Sequence, residues 1–202
     1  MKKIGLYFGT FNPIHVGHLI IANHIANHTA LDEVWLVVSP QNPLKEKSSL
    51  LADYHRLALV RMAVEDNRKL KASDIEFKLE RPSYTTHTLA HLKEQHPEFE
   101  FALIMGEDNL RTLHKWKNHE VLLEHYQIYV YPRAYTLDEL ELAPKSENRF
   151  KDHPSIHLIE GVQVMNISSS FIRQSIKNRQ DVRYLLTEPV HQYVEEMNFY
   201  KK

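Results

Sequence analysis

Residues 5–28 read GLYFGTFNPIHVGHLIIANHIANH, and the fold turns on how that stretch changes character. Ile4–Phe8 is a short apolar run, the pattern of a strand buried on both faces. It breaks at Gly9-Thr10-Phe11-Asn12-Pro13, and from Val16 to His28 apolar residues recur at helical spacing (Leu19, Ile20, Ala22, Ile25, Ala26). Two histidines three apart, His15 and His18, fall at the junction. Gly9 lets the backbone turn sharply and approach a ligand closely. Thr10 offers a hydroxyl and a backbone N–H, and Pro13 stops the strand. A helix start presents free N–H groups and a partial positive charge, which favour an anion. Two imidazoles on one face of the first turn would complete a cradle for phosphate oxygens whose charge grows during displacement at phosphorus.

Outward from that stretch, strand-like and helix-like patterns alternate. Val34–Val38 predicts a second buried strand, and 52–67 an amphipathic helix with Leu57, Val60, Met62 and Val64 inward. Ile75–Leu79 reads as a strand, Tyr84–His96 as a helix and 99–106 as a buried strand. A helix over 119–126 and a strand over 127–131 follow. Residues 132–154 are polar and contain proline, which predicts a long surface excursion. A strand over 156–161 and helices over Ser169–Asn178 and Pro189–Phe199 complete the chain. Such alternation implies an α/β fold, a doubly wound parallel sheet with helices on both faces and a helical C-terminal part from about residue 166. Residues 1–202 are long enough for one domain with its own core, and one domain is expected. Ligands in such sheets bind at the carboxyl ends of strands, where the strand order reverses.

Composition narrows the chemistry. The chain has no cysteine, which excludes a disulfide framework, a thiolate zinc site and a cysteine nucleophile. Its 25 Lys and Arg balance 26 Asp and Glu, so net charge argues neither for nor against a polyanionic partner, and no nucleic-acid partner is expected. A few local cations still suffice for a small phosphate ligand. No apolar run reaches the roughly 18 residues needed to span a bilayer, and no secretory h-region precedes the first strand. A cytoplasmic protein without a membrane partner is the expectation, with self-association left open.

Three further segments bear on phosphate or sugar. In NISSSFIRQSIKNR (166–179), Ser168 and Ser169 open a helix and Arg173 lies one turn in, which suits either phosphate binding or plain helix capping. In SPQNPLKEK (39–47), Lys45 follows a buried strand, as a cation over a polyphosphate or as part of a solvated loop. In LIMGEDNLRTLHKW (103–116), Gly106 ends a strand and Asp108 is placed for ribose hydroxyls. Trp116 stands there in a polar setting, as a stacking platform or partly buried. A two-histidine metal site at His15 and His18 lacks a third ligand at helical spacing. The GxGxxG, P-loop, GxSxG and zincin patterns are absent. His24 and His28, at i and i+4, read as an exposed helix face.

Thr10, His15 and His18 in TxxxxHxGH spacing resemble the first signature of the HxGH nucleotidyltransferases, and ISSSFIR resembles the second. Length and motif order, from residue 4 to about 199, are similar to those of bacterial nicotinate-nucleotide adenylyltransferases. The middle motifs that carry this are RPSYTTHTL (81–89), GED (106–108) and Trp116. The resemblance implies a Rossmann-like fold and in-line attack of the 5′-phosphate of nicotinate mononucleotide on the α-phosphorus of ATP. By it, Gly9, Thr10, His15 and His18 hold the triphosphate, with Ser168, Ser169 and Arg173 on the β,γ-phosphates under Lys45. Gly106 and Asp108 take the adenosine ribose, while Thr85 and Trp116 take the nicotinate. Mg²⁺ is implied mainly on the ATP phosphates, with few or no direct protein ligands. Phe8, Asn12, His87 and Lys117 depart from the usual residues, which are glycine, aspartate, aspartate and an aromatic. Two alternatives remain: phosphopantetheine adenylyltransferase, which shares the opening signature, and a non-catalytic nucleotide-binding module of the same fold.

Overall fold

Strands and helices follow one another in the order that the apolar runs require. The computed structural model describes residues 1–40, 50–132 and 149–201. Among these, six strands form one parallel sheet: β1 (Lys2–Gly9), β2 (Glu33–Val38), β3 (Leu70–Ser73), β4 (Phe99–Gly106), β5 (Gln127–Tyr131) and β6 (Ile156–Leu158). Their spatial order is β3-β2-β1-β4-β5-β6. The helices are α1 (Val16–His28), α2 (Asp53–Val64), α3 (Thr85–Gln95), α4 (Glu107–Thr112), α5 (His119–His125), α6 (Ser169–Lys177) and α7 (Glu188–Glu196).

Period-two alternation along the central strands feeds two cores. Tyr7, Val34, Leu36, Val38, Ala102 and Ile104 face one side and pack with residues of α1, α2, α6 and α7, among them Ile25, Leu59, Ile172 and Val194. Ile4, Leu6, Val37, Phe101, Leu103 and Met105 face the other, with Leu89, Leu92, Leu110 and Leu122 of α3, α4 and α5. Burying both faces is why these strands read as continuous apolar runs. The strand order reverses between β1 and β4, so their carboxyl ends open a crevice there.

One strand lies elsewhere than its hydropathy predicts. Ile75–Leu79 is not a strand: Ile75–Lys78 forms a 3₁₀ turn, closed by Phe77 N–H donating to Asp74 O at 2.9 Å. Ile75 still enters the core, and the buried Glu76 accepts from the Thr88 hydroxyl at 3.0 Å. The strand that pairs with β2 is Leu70–Ser73, with one large apolar side chain. Edge pairing is decided by the open side of the neighbour, which local hydropathy does not contain. β6 is also shorter than expected, ending at Leu158, and Gly161 turns the chain away at φ 72°. Of the excursion over 132–154, residues 133–148 lie outside the described residues.

Candidate active site

The opening signature sits where the sheet topology puts a ligand. Gly9 pairs with Val38 of β2, while the pairing of β1 with β4 ends at Tyr7 and Ile104, two residues short of Gly9 and Gly106. Phe11 takes a left-handed φ of 45° and folds its ring back over Gly9. A Cβ on Gly9 would stand 2.8 Å from that ring, so the turn requires glycine there. Further on, the Phe11 ring meets the His18 imidazole edge-on at 5.1 Å.

His15 is the N-cap residue of α1 and His18 is its third residue. Their rings stack 3.7 Å apart. Gly17 makes room for this, since a Cβ there would be 3.1 Å from the His15 ring. His18 Nδ1 accepts the His15 backbone N–H at 3.3 Å, so the neutral ring carries its proton on Nε2 as a donor. His15 is buried, and burial pushes its imidazole down to about 4. It is therefore neutral near pH 7, which removes the repulsion that two stacked cations would suffer. Its Nδ1 has no hydrogen-bond partner among the described residues.

The second signature lands on the same loop. Ser168 caps α6, its Oγ accepting the Phe171 N–H at 3.1 Å. Ser169 Oγ donates to Pro13 O at 2.9 Å, and Arg173 Nη1 donates to Asn12 O at 2.9 Å. The start of α6 is thus fastened beside the start of α1, and the two helix N-termini turn their positive ends to one region. Gly106 ends β4 and caps α4; a Cβ on it would be 2.5 Å from Asp108 Oδ1, so the carboxylate lies over the glycine. Tyr131 OH borders the same spot and shares a 3.2 Å hydrogen bond with Tyr7 OH.

Thr85 is the first residue of α3, and Trp116 is half-buried, packed against the α3–α5 core. Their segments meet where Lys117 Nζ lies 4.3 Å from the centre of the Tyr84 ring. Lys45 lies outside the described residues. Among the described residues no three His, Asp or Glu side chains converge as metal ligands. None of their helices is long and apolar enough to cross a membrane.

Comparison with known proteins identifies the family. Residues 6–175 match the cytidylyltransferase-like family. A Flavobacterium psychrophilum protein named probable nicotinate-nucleotide adenylyltransferase is 58% identical over 200 residues, covering 99% of this chain and 100% of that one. A Flavobacterium johnsoniae protein of the same name is 57% identical over 201 residues, covering 99% and 100%. The chain belongs to the nicotinate-nucleotide adenylyltransferases. The fold is shared with a structure titled Plasmodium falciparum nicotinic acid mononucleotide adenylyltransferase complexed with NaAD. That match has a TM-score of 0.78 at 22% identity and covers 100% of this chain and 98% of that one.

Two residues of this adenylyltransferase have roles that the sequence reading missed. Arg56 is fully buried, and burial pushes its guanidinium down while Asp53 opposes the shift. It donates to Thr10 O (2.6 Å), Ser39 O (2.7 Å), Leu51 O (3.0 Å), Pro40 O (3.2 Å) and Asp53 Oδ1 (2.6 Å). One side chain thereby joins the phosphate loop, the end of β2 and the start of α2. Its signal was its spacing, four residues before Val60 on the inward row of α2. Asn12 is buried as well, its Oδ1 accepting from Leu51 N–H at 3.2 Å and Tyr200 OH at 2.8 Å. No local pattern announces that role, because Tyr200 is 188 residues away.

Proposed function

We infer that the protein transfers AMP from ATP to nicotinate mononucleotide. A phosphate oxygen of the mononucleotide forms a bond to the α-phosphorus of ATP, and the bond from that phosphorus to its β-bridging oxygen breaks. The products are nicotinate adenine dinucleotide and pyrophosphate. The observation that carries this reading is the stacked His15–His18 pair at the start of α1, with the start of α6 tied to the same loop.

Donors around one crevice are what such a reaction needs. Transferring a phosphoryl-type group requires positioning and charge stabilisation rather than a protein nucleophile. His18, donating from Nε2, meets the α-phosphate, where negative charge grows in the transition state. His15, Thr10 and Gly9 border the triphosphate, and Ser168, Ser169 and Arg173 take the β,γ-phosphates with Lys45. Arg173 then exchanges or shares its bond to Asn12 O with phosphate oxygens. Asp108, laid over Gly106, receives the ribose hydroxyls. Thr85 and Trp116 receive the pyridine ring and its carboxylate.

Mg²⁺ carried on the triphosphate would neutralise charge on the leaving pyrophosphate, and this reading asks few or no ligands of the protein. We place the activity in one domain spanning the chain and in the cytoplasm. The test is pyrophosphate release with ATP and Mg²⁺, offering nicotinate mononucleotide, nicotinamide mononucleotide and 4′-phosphopantetheine separately. Fastest release with nicotinate mononucleotide is expected. Release with phosphopantetheine alone would replace the acceptor, and silence with all three would leave only nucleotide binding.

A further inference from the structure

Lys117 is exposed, yet its ammonium is held 4.3 Å from the centre of the Tyr84 ring. A cation over an aromatic face is retained electrostatically by the ring quadrupole. Tyr84 is the N-cap residue of α3, and Thr85 is the first of the 11 residues in that helix. No acidic residue stands in the first turn of α3. His87 occupies that turn instead, 5.6 Å from Tyr84 and edge-on to it. Thr86 is buried beside them, and its Oγ1 has no hydrogen-bond partner among the described residues.

These features place positive charge at the start of α3, to which the acceptor reading brings the pyridine, while Glu80 and Glu94 share a groove with His87. The free N–H groups of the helix start are positive, the tethered ammonium adds a full charge, and no first-turn carboxylate cancels it. Nicotinate and nicotinamide have nearly the same shape and differ by one negative charge. A donor network can accommodate either, whereas a fixed cation gains only from the acid. We propose that Lys117, seated on Tyr84, is a specificity residue that favours the carboxylate-bearing pyridine nucleotide over its amide. This rests on the acceptor reading given under Proposed function.

The experiment compares kcat/KM for nicotinate and nicotinamide mononucleotide in wild type, Lys117→Met, Lys117→Arg and Tyr84→Leu, all as full chains. Losing one solvent-exposed charge interaction is expected to lower the acid-to-amide ratio about three- to fivefold in Lys117→Met, through KM for the acid. Lys117→Arg keeps the charge and should stay within about twofold of wild type. Tyr84→Leu should lower the ratio in the same direction, with no further drop when combined with Lys117→Met. A merely structural lysine would lower both substrates together, and an unchanged ratio in Lys117→Met would overturn the proposal. Wild type that ignores both pyridine nucleotides overturns the acceptor reading, and this inference with it. Wild type that is active on the acid, with a variant of equal ratio, removes Lys117 alone.

Discussion

Burial of His15 makes the fold itself sensitive to acid, by an amount that follows from its surroundings. The imidazole is 5% exposed and pushed down from 6.5 to about 4. Desolvation of the charged form is the cause, so the unfolded chain binds a proton that the folded chain refuses. Folding stability therefore loses nothing above pH 6.5, falls as pH drops toward 4, and levels off once the folded form also protonates. At about 1.4 kcal/mol per pH unit, the full loss is about 3 kcal/mol, of which about 2 kcal/mol has gone by roughly pH 5. The assay is urea unfolding of wild type and His15→Gln at about pH 7.5 and pH 5. Glutamine keeps a polar side chain but cannot titrate. Glu33 also shifts, down to about 2, because hydrogen bonds from Lys2, Lys71 and Trp35 outweigh the upward push of its burial. Its stabilisation is lost as pH falls from 4.5 toward 2, and that loss is common to both proteins. Wild type should lose about 2 kcal/mol more than His15→Gln between the two conditions. Equal losses would mean that His15 is not held neutral by burial, and the account of the stacked pair would fail.

Other perturbations separate packing from chemistry. Arg56→Met leaves four carbonyls and the inner oxygen of Asp53 without their guanidinium and should cost about 3–5 kcal/mol in urea unfolding; a cost under about 1 kcal/mol would show that the clasp is replaceable. Ser168→Ala removes the α6 cap and should cost about 1 kcal/mol, with a raised KM for ATP if the first turn of that helix meets phosphate. His18→Ala should lower kcat about 10²- to 10³-fold in steady-state pyrophosphate release while the unfolding midpoint moves little. A proportional loss of stability would assign His18 to the fold instead of the reaction.

Much of the fold was legible because buried parallel strands advertise themselves. Ile4–Phe8, Val34–Val38 and 99–106 are apolar on both faces, and such runs need no knowledge of neighbours to be read. The β1–α1 junction was legible for the same local reason: glycine, proline and two histidines occupy consecutive turns of one segment. β3 was not, since Leu70–Ser73 is a strand only because β2 offers it an open edge. Ile75–Leu79 shows the converse, an alternating pattern that folds as a 3₁₀ turn while still burying Ile75.

Within the site, the residue types came from the sequence and their condition from the tertiary structure. Thr10, His15, His18, Ser168, Ser169, Arg173, Gly106 and Asp108 were all chosen on spacing and chemistry. That Ser169 reaches Pro13 across 156 residues depends on α6 packing against the same face of the sheet as α1. Burial decides that His15 is neutral, and the His15 backbone N–H makes Nδ1 of His18 an acceptor. Arg56 looked like any helix arginine until the loop, the strand end and α2 closed around it. A sequence determines which groups are available and the local turns that present them. Charge state, tautomer and long-range partner depend on the dielectric and the neighbours, and those exist only once the chain has folded.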